Sequence, residues 1–329
     1  MSHLAKSIRW LGMPAFLAAI SYTSPGNLLA LTTPLIVTPT LGLAYWHHRQ
    51  PKQEQADLDT LTYLYTLTAT LGLALSLSAQ LLLTLAISRL LFGADWRDYL
   101  RAFMQTEIAP ATPEIAAANW AWIAKWQHWV FLATVPTFLA GGVEEVLKYC
   151  AIAFLRRQRK SKYQQQQPRE KDSSRRPAQL VKSHYLQYAL TASLAYCTME
   201  SIGFIRTMDR PEISPAKAAL MVCERIFIGG LGHCLTSCLL AAKAASLGGD
   251  YKEGLGNWWW ILREPILFHG GFNLVLFALS GWNGNVGWVH PDSGWQVVPM
   301  LGVVGGIQGV LFWRFREVWR SLQADEGGE

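Results

Sequence analysis

Charge is absent over long reaches of this chain, and those reaches define its elements. No Asp, Glu, Lys or Arg occurs from Trp10 to Trp46, from Thr60 to Ser88, from Pro265 to Val289 or from Ser293 to Trp313, and between Ser183 and Arg206 Glu200 stands alone. An apolar run of about 20 residues makes a helix long enough to cross the roughly 30 Å hydrocarbon layer of a bilayer. The pattern predicts spans near 27–46, 63–91, 128–155, 185–205, 217–242, 259–281 and 296–313. A shorter apolar stretch, residues 10–22, ends in the turn-like TSPGN and reaches only about 20 Å as a helix. It reads as a tilted span or an interfacial helix, so the expected count is seven or eight. It does not read as a cleaved signal peptide, because no small-residue cleavage site precedes the next apolar run. The fold class expected is all-α, a polytopic integral membrane helical bundle. A soluble bundle is the alternative, but runs of this length exceed ordinary globular helices.

The polar segments order these spans. Residues 156–183, RRQRKSKYQQQQPREKDSSRRPAQLVKS, carry ten Lys or Arg against two acids and a glutamine run. Composition of this kind predicts a disordered, solvated connection, and its basic excess places it on the cytoplasmic side. The C-terminal tail RFREVWR then also faces the cytoplasm, while the 206–216 loop and WNGNVGWVHPDSGW face the opposite side. The net charge of +6 comes from the basic connection, so it calls for no nucleic-acid partner; the partner implied is the lipid bilayer. Trp46, Trp96, Trp126, Trp129, Trp258, Trp259, Trp260, Trp295 and Trp313 fall at or near the expected helix ends, where amphipathic rings settle at the interface. Three regions follow: 1–127, N-terminal membrane helices and a non-cytoplasmic loop; 128–281, a core holding most of the unusual polar residues with the basic insert; and 282–329, a last span and a cytoplasmic tail.

Cys150, Cys197, Cys223, Cys234 and Cys238 all fall within expected spans and none in a connection, which is no disulfide framework. Cys234 and Cys238 lie one turn apart beside His233, a spacing a metal–thiolate site could use; small core residues are the preferred reading.

Ionisable residues inside the spans change the picture most. At 1.5 Å per residue, Glu144 and Glu145 lie about 17 Å below the cytoplasmic end of their helix, His233 about 15 Å, His269 about 17 Å and Glu200 about 18 to 23 Å. Five such groups from four helices thus share one depth. Side chains of this kind inside a bilayer are rare and face the bundle interior or a wet cavity. Lys148 follows Glu144 by four residues, on one helix face, and the two are expected to pair. Asn273 follows His269 by four, and the intervening Gly270 and Gly271 allow another backbone to come close. Arg225 lies two turns before His233, with Glu224 beside it as a candidate counter-ion.

Carboxylates and neutral imidazoles are the ligands Zn²⁺ takes in catalytic sites, with one position open to water. Such a metal lowers the pKa of bound water and polarises a carbonyl, while a glutamate outside the ligand set takes the proton. A metal-free route is open too: a glutamate activates water, and His269 with Asn273 stabilises the oxyanion. HExxH, GxSxG and paired intramembrane aspartates are all missing, so zincin, serine and aspartyl protease chemistry find no support.

At these residues the chain resembles a family. GGVEEVLKY is similar to the EExxK motif of the PrsW-type intramembrane proteases; LAYCTMESIGFI resembles their glutamate-bearing helix, and RIFIGGLGHCLTSCLLA and ILFHGGFNLVLF resemble their two histidine helices. The four occur in the family's order across residues 137–279. The related CAAX-processing and bacteriocin-processing membrane endopeptidases use EExxxR and HxxxN; here Lys148 stands for the arginine, and His269 and Asn273 fit the latter. The resemblance implies a membrane-embedded metalloendopeptidase that clips membrane proteins or membrane-associated peptides. It makes Glu144 and Glu145 the paired active carboxylates, with Lys148 and Asn273 beside them, and Glu200, His233 and His269 the metal-binding set. The alternative function is a proton- or cation-coupled transporter, since Glu and His chains also relay protons, although no internal repeat of the kind transporters use is present. A non-catalytic membrane scaffold is the third reading.

Overall fold

The computed structural model describes residues 28–52, 54–104, 112–166, 182–208, 213–247, 255–291 and 293–327. Helices make up every regular element among them: α1 (Leu28–Arg49), α2 (Leu58–Leu67), α3 (Leu73–Phe92), α4 (Trp96–Met104), α5 (Pro113–Ile123), α6 (Trp126–Leu132), α7 (Gly142–Gln166), α8 (Lys182–Met208), α9 (Pro215–Cys223), α10 (Gly230–Ser246), α11 (Leu255–Trp282) and α12 (Gly294–Gly327). The all-α expectation holds. The stretch 10–22 and most of the basic connection lie outside the described residues. Residues 156–166 of that connection are helical instead of irregular, because α7 continues past the membrane-length segment on Arg, Lys and Gln, all good helix formers.

Three π-helical segments join consecutive helices: Thr68–Gly72 between α2 and α3, Ala133–Gly141 between α6 and α7, and Glu224–Gly229 between α9 and α10. Five of the resulting rods are long and apolar enough to cross a membrane: Leu58–Met104, Trp126–Leu155, Ala216–Ser246, Asn257–Trp282 and Gly294–Ala324. Their outward faces carry large apolar side chains such as Leu71, Leu75, Leu82, Phe227, Val298 and Val310, which water would not tolerate as a continuous surface.

Helix α8 sits at the centre, packed against α1, α2, α7 and α10. Ala189, Ala192, Ala195 and Tyr196 are fully buried there, and small residues let the neighbouring rods come close. Enclosure explains its composition: Gln187, Thr191, Ser193, Thr198 and Ser201 on this helix are buried, and a helix screened from lipid need not be uniformly apolar.

Two apolar clusters bracket the middle of the bundle. One gathers Ala56, Leu64, Leu155, Tyr185, Ala244 and Ile261, so the turn before α2, α2 itself, the middle of α7 at the end of its membrane-length part, the start of α8, the end of α10 and the start of α11 lie together. The Ser183 hydroxyl and Gln187 amide both donate to the Glu54 carbonyl at this end, at 3.0 and 2.7 Å. The other cluster joins Phe92, Tyr99, Phe131, Leu132, Val135 and Val286. Each burial of a Leu- or Phe-sized side chain contributes about 1.5–3 kcal/mol in water; within lipid, packing replaces much of that drive. Along the Trp126–Leu155 rod and along α11, the polar residues lie between the stretches that feed the two clusters.

A buried carboxylate and imidazole centre

Backbone irregularity delivers the polar side chains. Pro136 lacks an N–H and cannot continue a regular α ladder; the wide turns of Ala133–Gly141 accommodate it and lead directly into Glu144 and Glu145. The Pro136 carbonyl accepts a hydrogen bond from Asn273 Nδ2 at 3.2 Å. The second wide segment, Glu224–Gly229, precedes His233, and its Ile228 carbonyl accepts from Gln308 Nε2 at 2.7 Å. Side-chain amides from neighbouring helices thus satisfy backbone groups that a membrane interior would leave costly, and π turns of this sort are frequent at functional sites.

Close approach fixes α11 against the first wide segment. A Cβ on Gly270 would lie 2.4 Å from the Thr137 carbonyl oxygen, and one on Gly141 would lie 2.8 Å from the Gly270 nitrogen. Gly270 alone of the glycine pair serves this contact, since Gly271 faces open space. The crossing sets His269 opposite Glu144 and Glu145.

Glu144, Glu145, Lys148, His233 and His269 are all buried, and Glu200 is about a quarter exposed into the cavity. His269 Nδ1 lies 3.0 Å from Glu145 Oε1, and His233 Nε2 lies 3.1 Å from Glu200 Oε2. An ionised carboxylate only accepts hydrogen bonds, so each imidazole donates from that nitrogen and keeps a lone pair on the other. Those other nitrogens, His269 Nε2 and His233 Nδ1, lie 3.8 and 3.9 Å from Glu144 Oε2. The rings meet edge to face with centroids 4.8 Å apart. Two carboxylate–imidazole pairs therefore converge on one carboxylate oxygen.

Lys148 Nζ binds Glu145 Oε1 at 2.7 Å, so Lys148 pairs with Glu145 and not with Glu144; residues three apart face one another on a helix as well as residues four apart. The same ammonium is 3.5 Å from His233 Nδ1, and the Thr236 hydroxyl is 3.3 Å from Glu145 Oε1. Arg225 binds Glu200, not its neighbour Glu224, because adjacent residues on a helix point apart; Glu224 instead meets His290 Nε2 at 2.6 Å. Two of the three glutamates thus have a direct cationic partner. Glu144 has Gln80 Nε2 at 3.4 Å from Oε1, while its Oε2 is buried with no hydrogen-bond partner. An unpaired carboxylate in such surroundings is strongly disfavoured.

Glu144, His233 and His269 present ligand atoms all within 4.8 Å of one another and could hold a metal ion. Of the expected metal set Glu200, His233 and His269, the two histidines belong to this group; its carboxylate is Glu144, while Glu200 lies 3.1 Å from His233 Nε2. Asn273 lines the same cavity, of about 220 Å³, as Glu144, Glu200, His233 and His269, with an amide N–H directed to Pro136. Sequence reasoning passed over Gln80 and Gln308, which line this cavity from α3 and α12, outside the core region 128–281. Each had a signal, being the sole Asn or Gln in Thr60–Ser88 and in 297–313 respectively.

Comparison of the chain with protein-family models, with curated proteins and with solved structures finds no match.

Proposed function

We propose that this chain is an intramembrane endopeptidase that hydrolyses peptide bonds of membrane-associated proteins at the Glu144, His233 and His269 centre. The observation that carries the proposal is the convergence of two carboxylate-held imidazoles on Glu144 Oε2, beside a cavity with room for water, which takes about 30 Å³ per molecule. A structural role would need each polar group satisfied by its neighbours, and Glu144 Oε2 is not.

The donor set fits a divalent cation. Zinc with bonds of about 2.0–2.2 Å sets tetrahedral ligands about 3.3–3.6 Å apart; the two distances to Glu144 Oε2 are 3.8 and 3.9 Å, and the three ligand atoms all lie within 4.8 Å of one another, so binding would draw them closer. Were Glu144, Glu145 and Glu200 all ionised against Lys148 and Arg225, with both imidazoles neutral, 3 − 2 would leave one unbalanced negative charge, a costly state in a buried site that a bound cation would relieve. Glu144, His233 and His269 would hold it, and Zn²⁺ is the ion we assign. Bound there, zinc would supply Lewis acidity to a peptide carbonyl and acidify a water. The chain's own groups do the rest. Glu145 and Glu200 hold the two imidazoles in one tautomer, Lys148 and Arg225 keep those carboxylates ionised, and the apolar clusters on either side exclude bulk water. Without a cation, Glu144 Oε2 takes the proton of water directly; its place between the imidazoles makes Glu144 the key residue of either route.

The membrane arrangement we propose has seven described spans, adding α1 and α8 to the five apolar rods, with the 156–183 connection and the C-terminus in the cytoplasm. Clustering of the end of α7's membrane-length part with the α8, α10 and α11 ends beside the turn before α2 agrees with strict alternation. The test is reconstitution into vesicles with a fluorescent single-span substrate. Cleavage without proton or cation flux supports the endopeptidase; flux without cleavage would replace it with a coupled transporter.

A further inference from the structure

A second cavity, also of about 220 Å³, adjoins the first. Both are lined by Arg225, Gly229, Phe272 and Asn273, so the two share a wall one turn from His233 and His269. Beyond that wall the character changes. Leu276 and Phe277 follow on α11, Met300, Leu301 and Val304 come from α12, and Trp288 comes from the connection between them. Each of these helices enters the second cavity on the side of the 282–294 connection: 276–277 lie after 269 on α11, and 300–304 lie before 307–311 on α12. Its far end is fastened. His290 Nε2 meets Glu224 Oε2 at 2.6 Å and His290 Nδ1 meets the Pro291 carbonyl at 2.8 Å, and Gly287 packs so closely that a Cβ would reach 1.9 Å from the Phe103 carbonyl oxygen. The connection is thereby held down as a fixed floor, and the cavity is preformed.

We propose that this cavity is a side-chain subsite that receives one large apolar residue of the substrate, Leu, Met or Phe in class, next to the bond that is cut. The inference rests on the endopeptidase reading and adds its specificity. A polypeptide whose scissile carbonyl lies in the first cavity can place a neighbouring side chain past Gly229 and Phe272 with no change in the wall. Leu276, Phe277, Met300, Leu301 and Val304 give the cavity a mainly apolar lining, with Glu224 and His290 paired to each other at its edge, and such a lining favours an apolar occupant. One missing or extra methylene in such a pocket changes selectivity about 10- to 200-fold. Because the subsite lies only towards the 282–294 connection, selectivity falls on one side of the cut.

The test uses full-length protein in vesicles and single-span substrates carrying Ala, Leu, Phe or Trp in turn on each side of the cleavage position. Wild type is expected to cut the Leu and Phe substrates at least tenfold faster than Ala when the change is on the side facing the 282–294 connection, and to show under threefold variation on the other side. Val304→Phe fills the subsite and should reverse the preference, so that the Leu and Phe substrates are cut more slowly than Ala; a melting temperature in detergent within a few degrees of wild type shows that it folds. Val304→Ala should admit Trp. Equal cutting of all substrates by wild type, or equal slowing of the Ala and Leu substrates by Val304→Phe, overturns the subsite and leaves the endopeptidase standing. A second arm needs no turnover. A substrate with photo-leucine at the selective position, incubated with Glu144→Gln protein, should crosslink to Met300, Leu301 or Val304. Such labelling with no cleavage by wild type would uphold the cavity as an apolar side-chain site and refute the hydrolase, whereas labelling confined to other residues refutes the subsite.

Discussion

His269 donates from Nδ1 to Glu145 Oε1 across 3.0 Å, and that contact turns Nε2 towards Glu144. Glu200 does the same for His233 through Nε2. Glu145 and Glu200 are thus orienting groups, and Glu144 is the carboxylate on which both rings bear. A paired-glutamate motif whose two members have different work follows from helix geometry: adjacent residues project about 100° apart, so only one of them can face the cavity while the other meets Lys148 and His269.

Orientation by a carboxylate has a measurable size. Glu145→Gln and Glu200→Gln keep shape but give up the charge that fixes the tautomer. Outer partners of this kind contribute about 10- to 100-fold in metal affinity. Zinc titration of purified protein should show a loss in that range for each variant, and unchanged affinity in both would deny them the role.

Lys148 and Glu145 are each wholly enclosed. Removing one member of a buried pair costs about 3–5 kcal/mol, because the other is left charged and unpaired. Lys148→Met should therefore lower the melting temperature sharply in detergent. The double variant Lys148→Met with Glu145→Gln should recover most of the stability and none of the activity, which separates charge balance from chemistry.

The α11 crossing supplies a paired control. Gly270→Ala would drive a Cβ into the Thr137 carbonyl, whereas Gly271→Ala meets nothing within 4 Å. Gly270→Ala should displace α11 and reduce cleavage at least tenfold by moving His269, since a misplacement of about 1 Å can cost 100-fold. Gly271→Ala should stay within twofold of wild type in cleavage and stability.

Sidedness is tested by labelling in a background free of the native cysteines. A cysteine at Gln164 should react from the cytoplasmic face and one at Asn283 from the opposite face. Reaction of both from the same face would break the alternation.

Much of this molecule could be read from the sequence. Uncharged runs located the long helices because lipid permits little else there, and common depth brought Glu144, Glu145, Glu200, His233 and His269 together, since rise per residue is fixed along a helix. Rotation about each axis was not legible. It decided that Lys148 meets Glu145, that Arg225 meets Glu200, and that Glu144 joins the two imidazoles. The π segments were hidden as well: Pro136 hints at one, but nothing local in TATLG or ERIFIG announces the other two. Gln80 and Gln308 were visible as lone amides in apolar runs, yet Gln308 reaches Ile228, and Gln80, besides donating to Ser76 on its own helix, reaches Glu144, partners distant in sequence.

The most direct measurement is the cleavage rate of a single-span substrate in vesicles by wild type and by Glu144→Gln, His233→Ala and His269→Ala, each confirmed as inserted. The account predicts a loss of at least 1,000-fold for Glu144→Gln, on the scale of about 4 kcal/mol of transition-state stabilisation, and comparable losses for the two histidine variants. Wild-type rates in all three would contradict it.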